Sequence, residues 1–317
     1  MDRSSSGAGR NKTELKKRVF ATAHMKIPVR TQAATAVVFV ALLTGIPRAF
    51  AADGWKVSWE PAQLVNGSSV LFRVTAPASL KSLSGTWFDH VLAFRFDQAC
   101  ACWYAIAGIG LNTKPGTFPL RLEGSGQAAF VSDVAISEKL YPTTAIRVAP
   151  QYVQPPSEAL ARIQAEEALK KQVFSRMTPE STWSGRFQAP VESSVTAVFG
   201  SARTYNGVKK SQHEGMDFHA ATGTAVHASN RGTVILARNL YYEGNCVMID
   251  HGQGLLTIHM HLSEIKVKEG QIVESGQLLG LSGSTGRVTA PHLHFAARWQ
   301  GIYFDPATLL ALHPPER

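Results

Sequence analysis

The sequence predicts a mainly β chain in three parts: a small N-terminal β-sandwich-like domain, a connecting helix, and a C-terminal antiparallel β domain. Three observations predict it. Short runs of alternating apolar and polar residues fill 52–150, a proline pair precedes one long helical segment within 151–180, and glycine-rich turns punctuate β-like runs across 181–317. At 317 residues the chain has room for two ordinary domains, each with its own core, behind a targeting segment.

Residues 1–51 read as that segment, an export signal. Lys26 and Arg30 precede the apolar run "AATAVVFVALLTGI", and Ala49-Phe50-Ala51 supplies a small-x-small cleavage site. The run holds 14 residues, short of the roughly 20 that a spanning helix needs, so cleavage after Ala51 is expected and membrane attachment only if the signal stays uncleaved. A chain starting at Met25 would open "MKIPVR", a typical basic lead, which points to Met25 as the true start.

The formal charge of +9 suggests a nucleic-acid partner until it is located. Residues 1–51 hold 9 Lys and Arg against 2 Asp and Glu, which leaves 23 against 21 for the rest. Phosphate binding needs clustered cations that this near-neutral remainder lacks, so a nucleic-acid role is set aside.

In the N-terminal domain the strand runs are "SVLFRV" after Asn66-Gly67, "HVLAFRF", "TFPLRL" after Pro115-Gly116, and "FVSDVAI" before Tyr141-Pro142. Its lone His90 reads as a surface or core residue. Cys100 and Cys102 fall two apart on one face of an expected strand, badly placed to bond each other, and with Cys246 they read as buried small hydrophobes. A zinc-thiolate site would want more cysteines at tighter spacing.

Pro155-Pro156 then breaks the chain. The segment "SEALARIQAEEALKKQVFSRM" predicts a helix of about five turns with Ser157 as N-cap and with Glu166–Lys170 and Glu167–Lys171 pairs at i, i+4. Ile163, Val173, Phe174 and Met177 share one face that would dock on a neighbouring domain.

Histidines collect in the C-terminal part: eight of the 11 lie between His213 and His294, where composition alone would put fewer than three. A core does not need eight imidazoles. A hydrolytic zinc site needs three N or O ligands from the protein and an open position for water, and a further basic group to move protons. "HEGMD" offers His213 and Asp217, "HMH" offers His259 and His261, and "HLH" offers His292 and His294, each pair on one face if the segment is extended. Spacing alone leaves more candidate ligands than one ion takes.

"HEGMD" at 213–217, "HMHLS" at 259–263 and "GSTGRVTAPHLHF" at 283–295, in this order, resemble the signature of the lysostaphin-type (LytM-like) zinc metallopeptidases, over about 186–306. The resemblance implies that His213, Asp217 and His294 bind one Zn2+ per chain, and that His261 and His292 are the catalytic pair. It implies an exported metallo-endopeptidase that hydrolyses peptide cross-links or stem peptides of peptidoglycan by zinc-activated water, in the periplasm or cell envelope. Two departures stand out. His259 replaces an aromatic frequent in the family and could line the cleft or compete for metal, and Ala296 follows "HLHF" where many members carry Glu. His251 reads as a turn residue, and His219, in register with Asp217, as a group behind the ligands or a surface or core residue. The N-terminal β domain resembles one found in some envelope members, where it would cover or frame the cleft; an envelope regulator is then a possible partner.

Two rival readings are weaker. Non-catalytic relatives that activate cell-wall amidases usually lack some zinc-site residues, and here all five positions are filled. A biotinyl or lipoyl carrier would explain the rhythm of "VKEGQIVESGQLLG", but it needs a lysine at a hairpin tip, and no suitable turn carries one.

Overall fold

The alternating runs of the N-terminal part form strands, in two sheets. The computed structural model describes residues 54–125 and 129–316, so the export-signal reading falls on residues outside this range. Lys56–Glu60, Ser69–Thr75, Cys102–Gly108 and Arg95–Asp97 make a four-stranded antiparallel sheet. Leu64–Val65, Phe130–Ser137, Gly116–Gly124, Leu83–Trp87 and His90–Ala93 make a five-stranded one. Phe72 and Trp87, from different sheets, meet edge to face at 5.2 Å between ring centroids in one buried apolar cluster.

The cysteines depart from expectation: Cys100 and Cys102 form a disulfide with Cα atoms 5.2 Å apart. Two positions apart on a strand they would stand about 6.6 Å apart along it. Instead residues 98–101 form a turn, Ala101 takes φ 48°, and only Cys102 begins a strand. Cys246 is free and buried, as expected.

The long helix runs Ser157–Ser175, and its N-cap is Pro156 rather than Ser157, which has already entered the first turn. The expected lysine pairs are replaced. Glu166 takes Arg162 at 2.6 Å, and Lys170 turns away to Glu243 of the following β part at 2.6 Å while keeping Glu167 at 2.7 Å. Val173 is buried, with Leu169 and Phe174 packed beside it, against Leu236, Leu240, Met248 and Ile258. Met177 lies beyond the helix end and is 55% exposed, so it takes no part in this docking.

The C-terminal part is built on a ten-stranded sheet whose central path runs Met216–His219, His292–Trp299, Leu255–Ile265, Gly244–Asp250 and Gly232–Leu240. Side chains alternate between its faces. Met216, Phe218, Val247, Ile249, Leu293 and Phe295 enter one apolar cluster, whereas Cys246, Met248, Ile258 and Ala296 point the other way, toward the helix. The helix therefore covers the face that also carries Asp217 and His294, which pair in register.

One apolar cluster joins the two β parts. It holds Trp55, Leu71 and Trp87 together with Trp183, Phe187, Trp299, Phe304 and Leu312. His90, expected at the surface or in a core, packs against Trp299 with the rings tilted and their centroids 5.2 Å apart. The C-terminal helix Pro306–Ala311, capped by Asp305, places the Thr308 hydroxyl as acceptor of the Ser69 N–H at 2.8 Å.

Candidate active site

Three side chains converge with their donor atoms facing one another: His213, Asp217 and His294, all buried, offer ligand atoms that lie within 4.8 Å of each other. His213 Nε2 is 2.9 Å from Asp217 Oδ1 and 3.0 Å from His294 Nδ1, and His294 Nδ1 is 2.8 Å from the same carboxylate oxygen. Tetrahedral ligands at zinc bond lengths would stand about 3.3 Å apart, so only a small spreading separates this cluster from a coordination shell. The donor chemistry fits too. His213 Nδ1–H donates to the Val198 carbonyl at 2.8 Å, which leaves the Nε2 lone pair aimed into the cluster.

The backbone permits this convergence at one glycine. A Cβ on Gly215 would come within 2.5 Å of His294 Nε2 and 2.6 Å of the Phe295 carbonyl. Residues 213–215 are not strand, so His213 reaches the cluster from a loop and Asp217 from the strand that follows.

Burial acts on these groups in opposite senses. It would raise the Asp217 carboxyl, but the close His213 and His294 imidazoles outweigh it and hold the group well below the usual carboxylate range. It pushes the His294 imidazole down to about 4, against the pull of Asp217. His294 is thereby neutral and free to donate its lone pair.

His261 and His292 stand beside the cluster. Their ring centroids are 5.0 Å apart, and His261 is 6.0 Å from His294. Each has its Nδ1–H spent on a backbone carbonyl, His261 on Thr285 at 2.9 Å and His292 on Ala290 at 2.8 Å. Each therefore presents Nε2; that of His292 lies 3.7 Å from Asp217 Oδ1. Burial, then the charges of His294 and His292, lower the His261 pKa well below the ordinary imidazole value.

Strand alternation fails at "HMH", and this corrects the expectation that His259 and His261 share a face. His259 pairs with Phe295 and Met260 with His294, so His259 points into the apolar cluster and Met260 into the cleft. A regular strand would send His261 back to the apolar side. Its φ of 65° instead turns it into the cleft next to Met260, a left-handed conformation rare for a residue with a Cβ. His259 is fully buried, against Phe295 at 5.2 Å, so it neither lines the cleft nor reaches the ligand cluster. "HLH" keeps its alternation: His292 and His294 pair with His219 and Asp217, and Leu293 is buried on the other face.

The remaining histidines lie apart. His219 is exposed, and no side-chain hydrogen bond joins it to the cluster among the described residues. His251, expected only as a turn residue, is fully buried, bonding the Arg231 carbonyl through Nδ1 and the Thr257 hydroxyl through Nε2, both at 2.8 Å.

One functional neighbour escaped the sequence reading. Arg203 bonds Asp217 Oδ2 at 2.7 Å, so the second carboxylate oxygen is occupied and Oδ1 alone faces the imidazoles. Arg203 sits in Ala202–Tyr205, which pairs in parallel with Thr143–Ile146 and across a hairpin with Lys209–Gln212. No motif marks it; only this pairing brings it to the site. The cluster opens into a cleft of about 690 Å³, one wall of which is Lys170, Lys171 and Phe174 of the long helix. That helix frames the cleft, whereas no strand of residues 56–137 lines it.

A mainly β fold with a buried His-Asp-His cluster, flanked by two further imidazoles, has the donor set of a metallopeptidase site. Within that class, residues 211–306 are a domain of peptidase family M23, whose family model they match. Over 126 residues the chain is 46% identical to peptidoglycan DD-endopeptidase ShyA of Vibrio cholerae, covering 39% of this chain and 27% of that protein. Over 104 residues it is 42% identical to DD-carboxypeptidase/endopeptidase Mpg of Neisseria meningitidis, covering 33% and 24% respectively. The chain thus spans about a quarter of the length of these curated relatives. A crystal structure of a candidate M23 peptidase from Pseudomonas aeruginosa aligns with a TM-score of 0.61 at 26% identity, covering 78% of this chain and 94% of that one.

Proposed function

We propose that the chain is an exported zinc metallo-endopeptidase acting on the peptide part of peptidoglycan, at the cross-links between stem peptides. The observation that carries this reading is the meeting of His213 Nε2, Asp217 Oδ1 and His294 Nδ1 within 4.8 Å, with His261 and His292 alongside. The names of ShyA, a peptidoglycan DD-endopeptidase, and of Mpg, a DD-carboxypeptidase/endopeptidase, support the substrate and favour a bond to a D-residue. An amidase activator would tolerate a broken site; five complete side chains around one cleft support catalysis instead.

His213, Asp217 and His294 would hold one Zn2+. When bound, zinc polarises the scissile carbonyl and lowers the pKa of a water to about 7. His261 and His292 act through Nε2, since their Nδ1–H groups are fixed on Thr285 and Ala290. One of these nitrogens takes the proton of the attacking water and passes it to the leaving amine, while the other accepts a hydrogen bond from that water and orients it for attack. Burial keeps His261 neutral, so its Nε2 lone pair is open to accept a proton. Arg203 holds Asp217 by its outer oxygen and fixes the direction of the inner one. The proposed substrate and the export signal expected at residues 1–51 support action outside the inner membrane, in the periplasm or cell envelope.

The test is digestion of purified peptidoglycan, followed by mass spectrometry of the soluble muropeptides. Conversion of cross-linked dimers to monomers, abolished by a chelator and restored by Zn2+, is the expected result. Intact dimers after digestion with zinc-loaded protein would overturn the reading.

A further inference from the structure

Five cationic side chains line the cleft: Arg203, Lys170, Lys171, Arg287 and Arg298. Three are already engaged. Arg203 bonds Asp217, Lys170 bonds Glu167 and Glu243, and Arg298 lies over the Phe174 ring at 4.1 Å with Glu214 as its nearby charge. Lys171 is exposed on the helix. Arg287 is different, because its guanidinium is held without its donors being used among the described residues.

The Arg287 Cζ lies 4.6 Å over the Tyr205 ring and 4.9 Å over the Tyr242 ring, and its backbone N–H donates to the Tyr242 carbonyl at 2.8 Å. Ring faces attract a guanidinium and fix its plane, yet they occupy none of its N–H groups. No carboxylate pairs with Arg287 among the described residues, and the side chain is half-buried. A planar fork that is oriented but unspent matches one kind of ligand best, the two coplanar oxygens of a carboxylate.

Its position ties it to the reacting end of the cleft. Arg287 follows by two residues Thr285, whose carbonyl orients His261, and Tyr242 precedes Glu243, whose carbonyl accepts the His261 N–H at 2.9 Å. The two loops that set the catalytic imidazole therefore also build the clamp. We propose that Arg287, clamped by Tyr205 and Tyr242, forms a carboxylate-binding subsite that reads a free carboxylate of the peptide beside the scissile bond. This rests on the peptidase reading above and adds a substrate preference to it.

The test compares a cross-linked muropeptide dimer carrying free carboxylates with the same dimer after chemical amidation, using the zinc-loaded full chain. The wild type should prefer the acid form by about tenfold or more in kcat/KM, carried by KM. In Arg287→Gln the preference should fall to near one, and Arg287→Lys should keep part of it, with zinc content unchanged in both. Equal cleavage of acid and amide by the wild type would sink the subsite and leave the peptidase reading standing; so would an Arg287→Gln variant that keeps the full preference. Cleavage of neither dimer by the wild type would sink both readings.

Discussion

At the scale of single residues, the two histidines of "HMH" have different environments, and the backbone decides which. Only the φ of 65° at His261 separates it from the buried side of its strand, so alternation read from the sequence misassigned the pair His259 and His261. The five side chains that gather here were singled out by their ordered motifs rather than by spacing. His259 has both ring nitrogens buried with no well-formed hydrogen bond, only a weak interaction with the Val247 backbone. Such a group loses its hydration with little compensation, so His259→Phe should raise the unfolding free energy by about 1–2 kcal/mol, read from urea denaturation at neutral pH. A lower midpoint would mean that His259 has a partner after all. His251 supplies a pH dependence. Its pKa is lowered by burial to about 4 in the fold against an ordinary 6.5, so the unfolded chain binds a proton first. Stability from this group is complete above pH 6.5, falls as pH drops toward 4, and is level below. The loss should approach about 3 kcal/mol, and the non-titrating His251→Gln should show a correspondingly shallower slope between pH 6.5 and 4.

At the scale of elements, the long helix was legible from its periodicity, but its ion pairs were not. Local i, i+4 rules ignore what the opposite wall offers, and Lys170 takes Glu243 across the interface. The turn at 98–101 was missed for a similar reason, because "QACACWY" alternates like a strand while Ala101 adopts a left-handed φ. The helix is both a docked element and a cleft wall. Val173 anchors it at 5% exposure, so Val173→Ala should cost roughly 1–3 kcal/mol in chemical unfolding. The same variant should raise KM more than it lowers kcat, since Phe174 and Lys170 follow the helix while the histidines do not. An unchanged KM would show that the helix is scaffold only.

At the scale of the whole molecule, the period-two runs and glycine turns gave the fold class correctly, and the composition shift near the proline pair marked the helix. What the runs could not reveal is that Trp55, Trp87, Trp183 and Trp299 belong to one apolar cluster, because packing across distant segments leaves no local pattern. That cluster bears on the expectation that the N-terminal domain covers or frames the cleft. Deleting residues 52 to about 180 would expose Trp183, Phe187 and Trp299, so low turnover of the fragment would report lost folding as readily as lost regulation. The shared core also predicts one cooperative calorimetric transition for the two β parts, with van't Hoff and calorimetric enthalpies in agreement. Two resolved transitions would show that the parts fold independently.

The central claim is a division of labour within one cluster: His213, Asp217 and His294 hold the metal, while His261 and His292 work on the water and the intermediate. It is tested most directly by measuring zinc content and dimer cleavage together in His294→Ala and His292→Ala. The account predicts that His294→Ala loses both zinc and activity. His292→Ala should keep its zinc and lose activity by about 10²–10⁴-fold. A His292→Ala protein without zinc, or a His294→Ala protein that retains it, would contradict the assignment.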